Sequence, residues 1–378
     1  MSAIGAGRVT ALGEIADELR ESVHGFVQSR STEAEVRRLM ETDEGFDPSV
    51  WAQMADQLEL PGMTIPEQFG GSGFEIDAQA VVFEEMGAAL MCSPYLSTVL
   101  AAEALVASGD EEACAEYLPA IASGERRAAL AVSERGGSWD AEGVAAAASE
   151  LDGGWASLDA DKSFVVDGHT ADLLVVAART PAGVGLFAVE ADADGVSRDA
   201  VATLDLTRKQ AHVVLRGARG RLLGAPDGAS AALAHVNQRA AIALACESVG
   251  VATTCLEMSV QYAKDRVQFG RPIGSFQAVK HKCAEMLRLT EQARAAAYEA
   301  AVATAAGATE ALLVTSVAKA YCSEACSWVA AENIHVHGGI GYTWEHSAHL
   351  YFRRAKSNEQ LFGGPLFHRA AVLEQLGV

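Results

Sequence analysis

Between residue 8 and about residue 125, apolar positions recur at spacings of three and four, as at Leu12, Ile15, Leu19 and Val23. That is the stripe of helices packed on one face. The first strong interruption is Leu60-Pro-Gly-Met-Thr-Ile-Pro-Glu-Gln-Phe-Gly-Gly-Ser-Gly73, which predicts a rigid, turn-rich loop. A helix is expected after it, through Ala78-Gln-Ala-Val-Val-Phe-Glu-Glu-Met-Gly87. From about 128 the period changes. Short runs rich in Val, Leu and Ala at 128–133, 163–166, 173–178, 185–189 and 211–215 are separated by Gly, Asp and Ser clusters, which is strand-and-turn chemistry. Helical periodicity returns near 225 and persists through the alanine-rich segments 293–306 and 309–331. The pattern predicts three domains: helical over 1–127, β over 128–224, and helical again over 225–378.

Composition narrows the function. At 378 residues, half of them apolar, the chain can bury a sizeable core. No apolar run of about 18 residues or more lacks charged or polar breaks, so no membrane span is expected. The start, Met1-Ser-Ala-Ile-Gly-Ala-Gly-Arg8, lacks both a basic region and a long apolar stretch, so no secretory signal is expected. The seven cysteines (92, 114, 246, 255, 283, 322, 326) sit mostly in helical, apolar context, as reduced core thiols of a cytoplasmic protein would. Cys322 and Cys326 share a helix face without further ligands at metal-like spacing. His337 and His346 likewise lack a carboxylate or cysteine at ligand spacing, so no metal site is expected. A net charge of −21 argues against nucleic acid as a partner. It does not favour an anionic coenzyme either, so such a ligand would need locally placed cations. Arg353, Arg354, Lys356 and Arg369 are the richest local supply, as a ligand site or as a solvated helix face.

The most specific stretch is Tyr262-Ala-Lys-Asp-Arg-Val-Gln-Phe-Gly-Arg-Pro-Ile-Gly-Ser-Phe-Gln-Ala-Val-Lys-His-Lys282. A helix ends in a basic, aromatic, glycine-punctuated turn and another begins. Arg266 and Gln277 thus place a cation and an amide beside a helix N-terminus, a setting suited to anions. A second block is His335-Val-His-Gly-Gly-Ile-Gly-Tyr-Thr-Trp-Glu-His346.

In wording and spacing these two blocks resemble the acyl-CoA dehydrogenase family, and the likeness extends over nearly the whole chain, weakest in the β region. It implies a mixed α and β fold: an N-terminal helical domain, a central β-barrel domain and a C-terminal four-helix bundle. It also implies FAD held across two subunits, one cradling the isoalloxazine and the other the pyrophosphate and adenosine. In the family's reaction a carboxylate takes the proton alpha to a CoA thioester while the β-hydrogen leaves as hydride to flavin N5. Arg266, Phe269 and Gln277 match the first cofactor-contacting segment. His335, Gly338 and Gly339 fall in the second, with His335 where relatives often carry Gln.

The ring-cradling half departs from the family pattern. Its first flavin loop usually reads Thr-Glu-Pro-Gly-Ala-Gly-Ser-Asp; here it is Ser133-Glu-Arg-Gly-Gly-Ser-Trp-Asp140, with Arg135 for the proline and Trp139 for the small serine. The second usually carries Trp-Ile-Thr-Asn; here Phe164-Val-Val-Asp167 leaves Val166 without the threonine hydroxyl. Losing one donor to a buried acceptor costs on the order of 1–3 kcal/mol. The usual base is missing too. Phe362 stands at one family position for the glutamate, with Gly364 for the following threonine, and Gln238-Arg-Ala-Ala241 occupies the other neighbourhood. Glu247, among apolar residues where burial would raise its pKa, is the first substitute; its other reading is a salt bridge. Glu359 is the second.

The resemblance therefore points to a subunit of a heteromeric FAD-dependent acyl-CoA dehydrogenase, of the kind acting on steroid side chains or other bulky CoA thioesters. A related partner chain would supply the ring contacts and the base in a heterotetramer. Two alternatives stay open: a homo-oligomeric enzyme using Glu247, and a non-redox CoA-thioester binder or hydratase.

Overall fold

The computed structural model describes residues 13–378, so Leu12 of the first apolar stripe lies outside the described residues. Six helices open the described residues: α1 (Gly13–Arg30), α2 (Glu33–Met40), α3 (Pro48–Leu58), α4 (Ile76–Ala88), α5 (Tyr95–Ala107) and α6 (Glu111–Ala122). Their starts follow capping chemistry. Thr32 accepts from the Glu35 amide, and Asp47 caps α3 with Pro48 in its first turn. The proline- and glycine-rich loop 60–73 winds into two short 3₁₀ turns. The Trp51 indole donates to the Gly124 carbonyl at 2.8 Å, tying α3 to the end of the helical segment.

The middle contains β1 (Ala128–Ala131), β2 (Ala147–Ala148), β3 (Trp155–Val166), β4 (Leu173–Arg179), β5 (Val184–Glu190), β6 (Val196–Val201) and β7 (Gln210–Leu223). The pairings β4–β2–β3–β7–β5–β4 return on themselves, which makes the sheet a closed barrel. β1 runs parallel to β4, and β6 lies along β7 as an outer strand. The sequence pattern missed β6. Its residues, Val196-Ser-Arg-Asp-Ala-Val201, bury neither face, so no apolar alternation marks them.

The remainder is helical: α7 (Ala229–Asp265), α8 (Gln277–Ala305), α9 (Ala311–His337), α10 (Ala348–Gln360) and α11 (Pro365–Gln375), with a two-strand hairpin of β8 (Val267–Gln268) and β9 (Arg271–Pro272) between α7 and α8. The glycine-punctuated turn predicted between two helices is this hairpin, whose tip, Phe269–Gly270, has φ of 53° and 77°. Two successive residues with positive φ are what a tight type I′ connection needs. α7, α8 and α9 pack against one another, with α10 and α11 lying on α9. α7 is long and apolar enough to cross a membrane, but 78% of that apolar window is buried inside the protein, as in a core helix. It crosses α4 backbone to backbone. A methyl group at Gly250 would collide with the Glu84 carbonyl, and one at Gly87 with the backbone of Glu247.

One junction titrates. Asp167 follows β3 at φ 51° and accepts from the Ser97 hydroxyl of α5 at 2.9 Å. Burial pushes its carboxyl up to about 6, against the pull of Ser97, Arg208 and Arg354. A carboxyl whose folded pKa exceeds its unfolded value carries no penalty below the unfolded value of 3.8. It acquires the penalty as pH rises to about 6. Asn accepts the same hydrogen bond and tolerates the same backbone. Asp167→Asn is therefore expected to stabilise the protein by roughly 1–3 kcal/mol at pH 7.5. The gain should vanish near pH 4, in melting curves of the two proteins at both values.

Candidate functional site

The predicted cofactor-tail residues collect at one end of the helical bundle. α7 ends with Arg266 as its C-terminal cap, and the Arg266 carbonyl accepts from the Ile273 amide at 2.8 Å, closing the hairpin. The Arg266 side chain is exposed and forms no ion pair among the described residues. Phe269, 91% exposed, crowns the hairpin and packs edge-on to Phe276 at 6.1 Å. α8 then opens at Gln277 without a side-chain cap, leaving its first amides and the positive end of its dipole free. At the same end, α9 stops at Gly338, with φ 65°. A Cβ at Gly338 or Gly339 would meet nothing within 4 Å. The space over both glycines is open, so a ligand can lie against their backbone.

Two contacts tie the segments together. The Tyr262 ring packs on His337 at 4.4 Å, and His337 on His346 at 4.3 Å. Glu332 binds both Lys282 of α8 and His335, the latter at 3.1 Å. His335 is exposed, but one of its ring nitrogens is already committed to Glu332. This donor set fits the anionic tail of a dinucleotide: an uncommitted guanidinium, an uncapped 29-residue helix and open glycine backbone.

The ring-side residues border two cavities. The first, of about 370 Å³, lies among α7, α9, α11 and the 136–140 loop, lined in part by Trp139, Asp140, Asn237, Gln238, Phe362 and His368. Burial and the neighbouring Glu142 raise the pKa of Asp140, against a hydrogen bond from Asn237. The second, of about 830 Å³, lies between the barrel and α10, lined in part by Trp139, Phe164, Leu204, His212, Lys356 and Leu361. Trp139 belongs to both. Its ring stacks on Phe362 with centroids 4.2 Å apart and planes at 28°. Val166 is buried and lines neither cavity.

Glu247 departs from expectation. It is buried as predicted, yet its pKa is lowered, not raised. Burial opposes ionisation, but Arg208 and Arg354 together overcome it. Arg208 Nη2 lies 2.6 Å from both carboxylate oxygens, and Arg354 binds the same group. Arg354 in turn reaches Asp205 at 2.8 Å and the Thr207 hydroxyl at 2.6 Å. Glu247 lines neither cavity, so the structure supports the salt-bridge reading. Glu359 is engaged as well, accepting from Lys356 at 2.8 Å and from Ser327. The C-terminal cations are neither a shared ligand site nor a plain solvated face. Arg354 is fully buried, Lys356 and Arg369 pair with Glu359 and Glu324, and Arg353 lies over the Trp344 ring at 4.7 Å. Sequence reasoning missed Arg208 and Asp205; they follow a turn between strands, where no periodicity marks a buried charge.

A helical–β-barrel–helical chain with an exposed guanidinium, an uncapped helix start and open glycine backbone at one end of its bundle has the architecture of a flavin-dependent acyl-thioester oxidoreductase. Residues 14–125 match the acyl-CoA dehydrogenase N-terminal domain, and residues 227–376 the acyl-CoA dehydrogenase C-terminal domain. The chain belongs to the acyl-CoA dehydrogenase family, whose members are FAD-binding oxidoreductases acting on the CH–CH bond of acyl-CoA. It is 35% identical over 354 residues to the acyl-CoA dehydrogenase IpdE2 of Mycolicibacterium smegmatis, covering 94% of this chain and 96% of that one. Among solved structures it superposes on a variant of the Tcur3481–Tcur3483 steroid ACAD with a TM-score of 0.87 at 30% identity, covering 97% and 98% of the two chains. It matches the ChsE4–ChsE5 complex of Mycobacterium tuberculosis with a TM-score of 0.87 at 30% identity, covering 96% and 97%.

Proposed function

We propose that this chain is the complementing subunit of a heteromeric acyl-CoA dehydrogenase that desaturates a bulky, steroid-like CoA thioester. In this reading Arg266, Phe269, Gln277, His335, Gly338 and Gly339 hold the pyrophosphate and adenosine of an FAD. A related chain cradles the flavin ring and supplies the base. The observation that carries the reading is the asymmetry of commitment. The tail-side cation and amides are exposed and unspent, whereas Glu247 and Glu359 are occupied and Phe362 has no acid to offer. FAD, when bound, accepts the β-hydrogen of the thioester as hydride. This chain's residues neutralise the phosphates, orient the tail through the α8 amides and present Phe269 as an apolar contact.

The cavity linings agree. The first contains no Lys or Arg to meet the CoA phosphates, and Val166, where relatives carry a hydroxyl, borders neither cavity. The likeness to a two-protein complex and to a steroid ACAD gives the reading its partner and substrate class. The test is co-expression with a related acyl-CoA dehydrogenase chain, followed by counting flavin and subunits. One flavin per two chains is expected, with little flavin on this chain alone. One tightly held flavin per copy of this chain purified by itself would sink the proposal.

A further inference from the structure

The two cavities meet at one partition. Gly137 and Trp139 line both, while Phe362 faces the first and its neighbour Leu361 the second. The partition is held from three helices. Lys319 of α9, buried, donates to the carbonyls of Asn358, Glu359 and Gly363 at 2.9, 3.3 and 3.1 Å. His368 of α11 donates from Nε2 to the Phe362 carbonyl at 3.1 Å, and Asn237 of α7 donates to the Trp139 carbonyl at 3.1 Å. These anchors hold Phe362 at φ 55°, a conformation bulky residues avoid, with Gly363 following at φ 96°. An ordinary core aromatic needs no such backbone.

We propose that Trp139 and Phe362 form a stopper that divides one continuous passage into two separate cavities. The stopper closes this chain's own route between an acyl group and a flavin ring. The inference rests on the reading above, in which the partner performs the chemistry, and extends it: this subunit's site is walled off as well as lacking a base. Hydride passes only between groups in near contact, about 3–3.5 Å apart. Two stacked rings fill that gap, so an acyl chain on one side and a ring on the other cannot meet.

The probe is prodan, a neutral naphthalene ketone whose emission rises in apolar surroundings, titrated into the chain as isolated and into its complex. Trp139→Ser and Phe362→Gly each remove one ring, and the glycine suits the positive φ. Either is expected to bind prodan at least about tenfold more tightly than wild type, as the joined passage admits the whole fluorophore. Trp139→Phe keeps a stacked ring and should match wild type. Circular dichroism establishes folding for all three. Folded opened variants with no gain overturn the stopper, as does wild type binding as tightly as they do. If both opened variants fail to fold while Trp139→Phe folds, the rings are core packing and the proposal falls. Flavin and subunit counts are read separately, so failure of the heteromer and failure of the stopper are distinguishable.

Discussion

Replacing Arg266 by Ala is expected to weaken FAD binding by the assembled complex at least about tenfold, and so lower the flavin retained after gel filtration, while leaving the melting temperature of the chain nearly unchanged. The side chain is exposed at the C-terminal cap of α7 and binds no carboxylate among the described residues, so their packing does not depend on it. Surface substitutions of this kind usually fall within about 0.5 kcal/mol. A charge-assisted hydrogen bond to phosphate is a different matter. Its loss costs about 1.5–3 kcal/mol, roughly ten- to a hundredfold in affinity. Arg266→Lys should recover part of the binding, since it keeps the charge but loses the planar fork. Gln277→Ala should have a smaller effect, because the α8 amides remain. Visible absorbance per mole of protein after gel filtration, with a thermal melt alongside, reads both quantities. Unchanged flavin content in the folded Arg266→Ala complex would remove this end of the bundle from the cofactor's path.

The two segments proposed to hold the cofactor tail stood out in the sequence because their chemistry is local. Arg266 and Gln277 lie within one short stretch around a helix start, and Gly338 and Gly339 are adjacent, so the family resemblance could mark each segment from a few neighbouring residues. The barrel strands with a buried face, β4 and β5, appear as apolar runs for the same reason. β6 was invisible because it buries no face. The stack of Trp139 on Phe362 was not legible either. Each residue stood out singly as a departure from the family pattern, but contact between a barrel-side loop and the turn after α10 is a tertiary fact. Glu247 shows the limit most sharply. Its apolar neighbours Ala245, Cys246 and Val249 correctly announced burial, and burial alone raises a carboxyl pKa. The partners that reverse the sign lie 39 and 107 residues away, at Arg208 and Arg354. No helical period connects them.

Those partners make Glu247→Gln the substitution with the largest expected effect on stability. Two guanidiniums, Arg208 and Arg354, face two carboxylates, Glu247 and Asp205, all buried, and Glu247 is the carboxylate both guanidiniums bind. The cluster joins the loop between β6 and β7 to α7 and α10, and Asn358 completes it by accepting from Arg208 at 2.7 Å. Gln in place of Glu takes from buried Arg208 the carboxylate it binds, a change that typically costs about 3–5 kcal/mol. Against a total stability of roughly 5–15 kcal/mol, that should lower the melting temperature by about 5–10 °C at pH 7. The pH dependence follows from the depressed carboxyl. A group with a folded pKa below its unfolded value contributes fully above the unfolded value, ordinarily about 4.3. That contribution is lost as pH falls through the folded value, so the gap between wild type and Glu247→Gln should narrow below about pH 4. Below its melting temperature, the variant complex should turn over thioester within about twofold of wild type, because Glu247 borders neither cavity. A thousandfold loss of kcat with an unchanged melting curve would make Glu247 the proton acceptor and restore the homo-oligomeric reading.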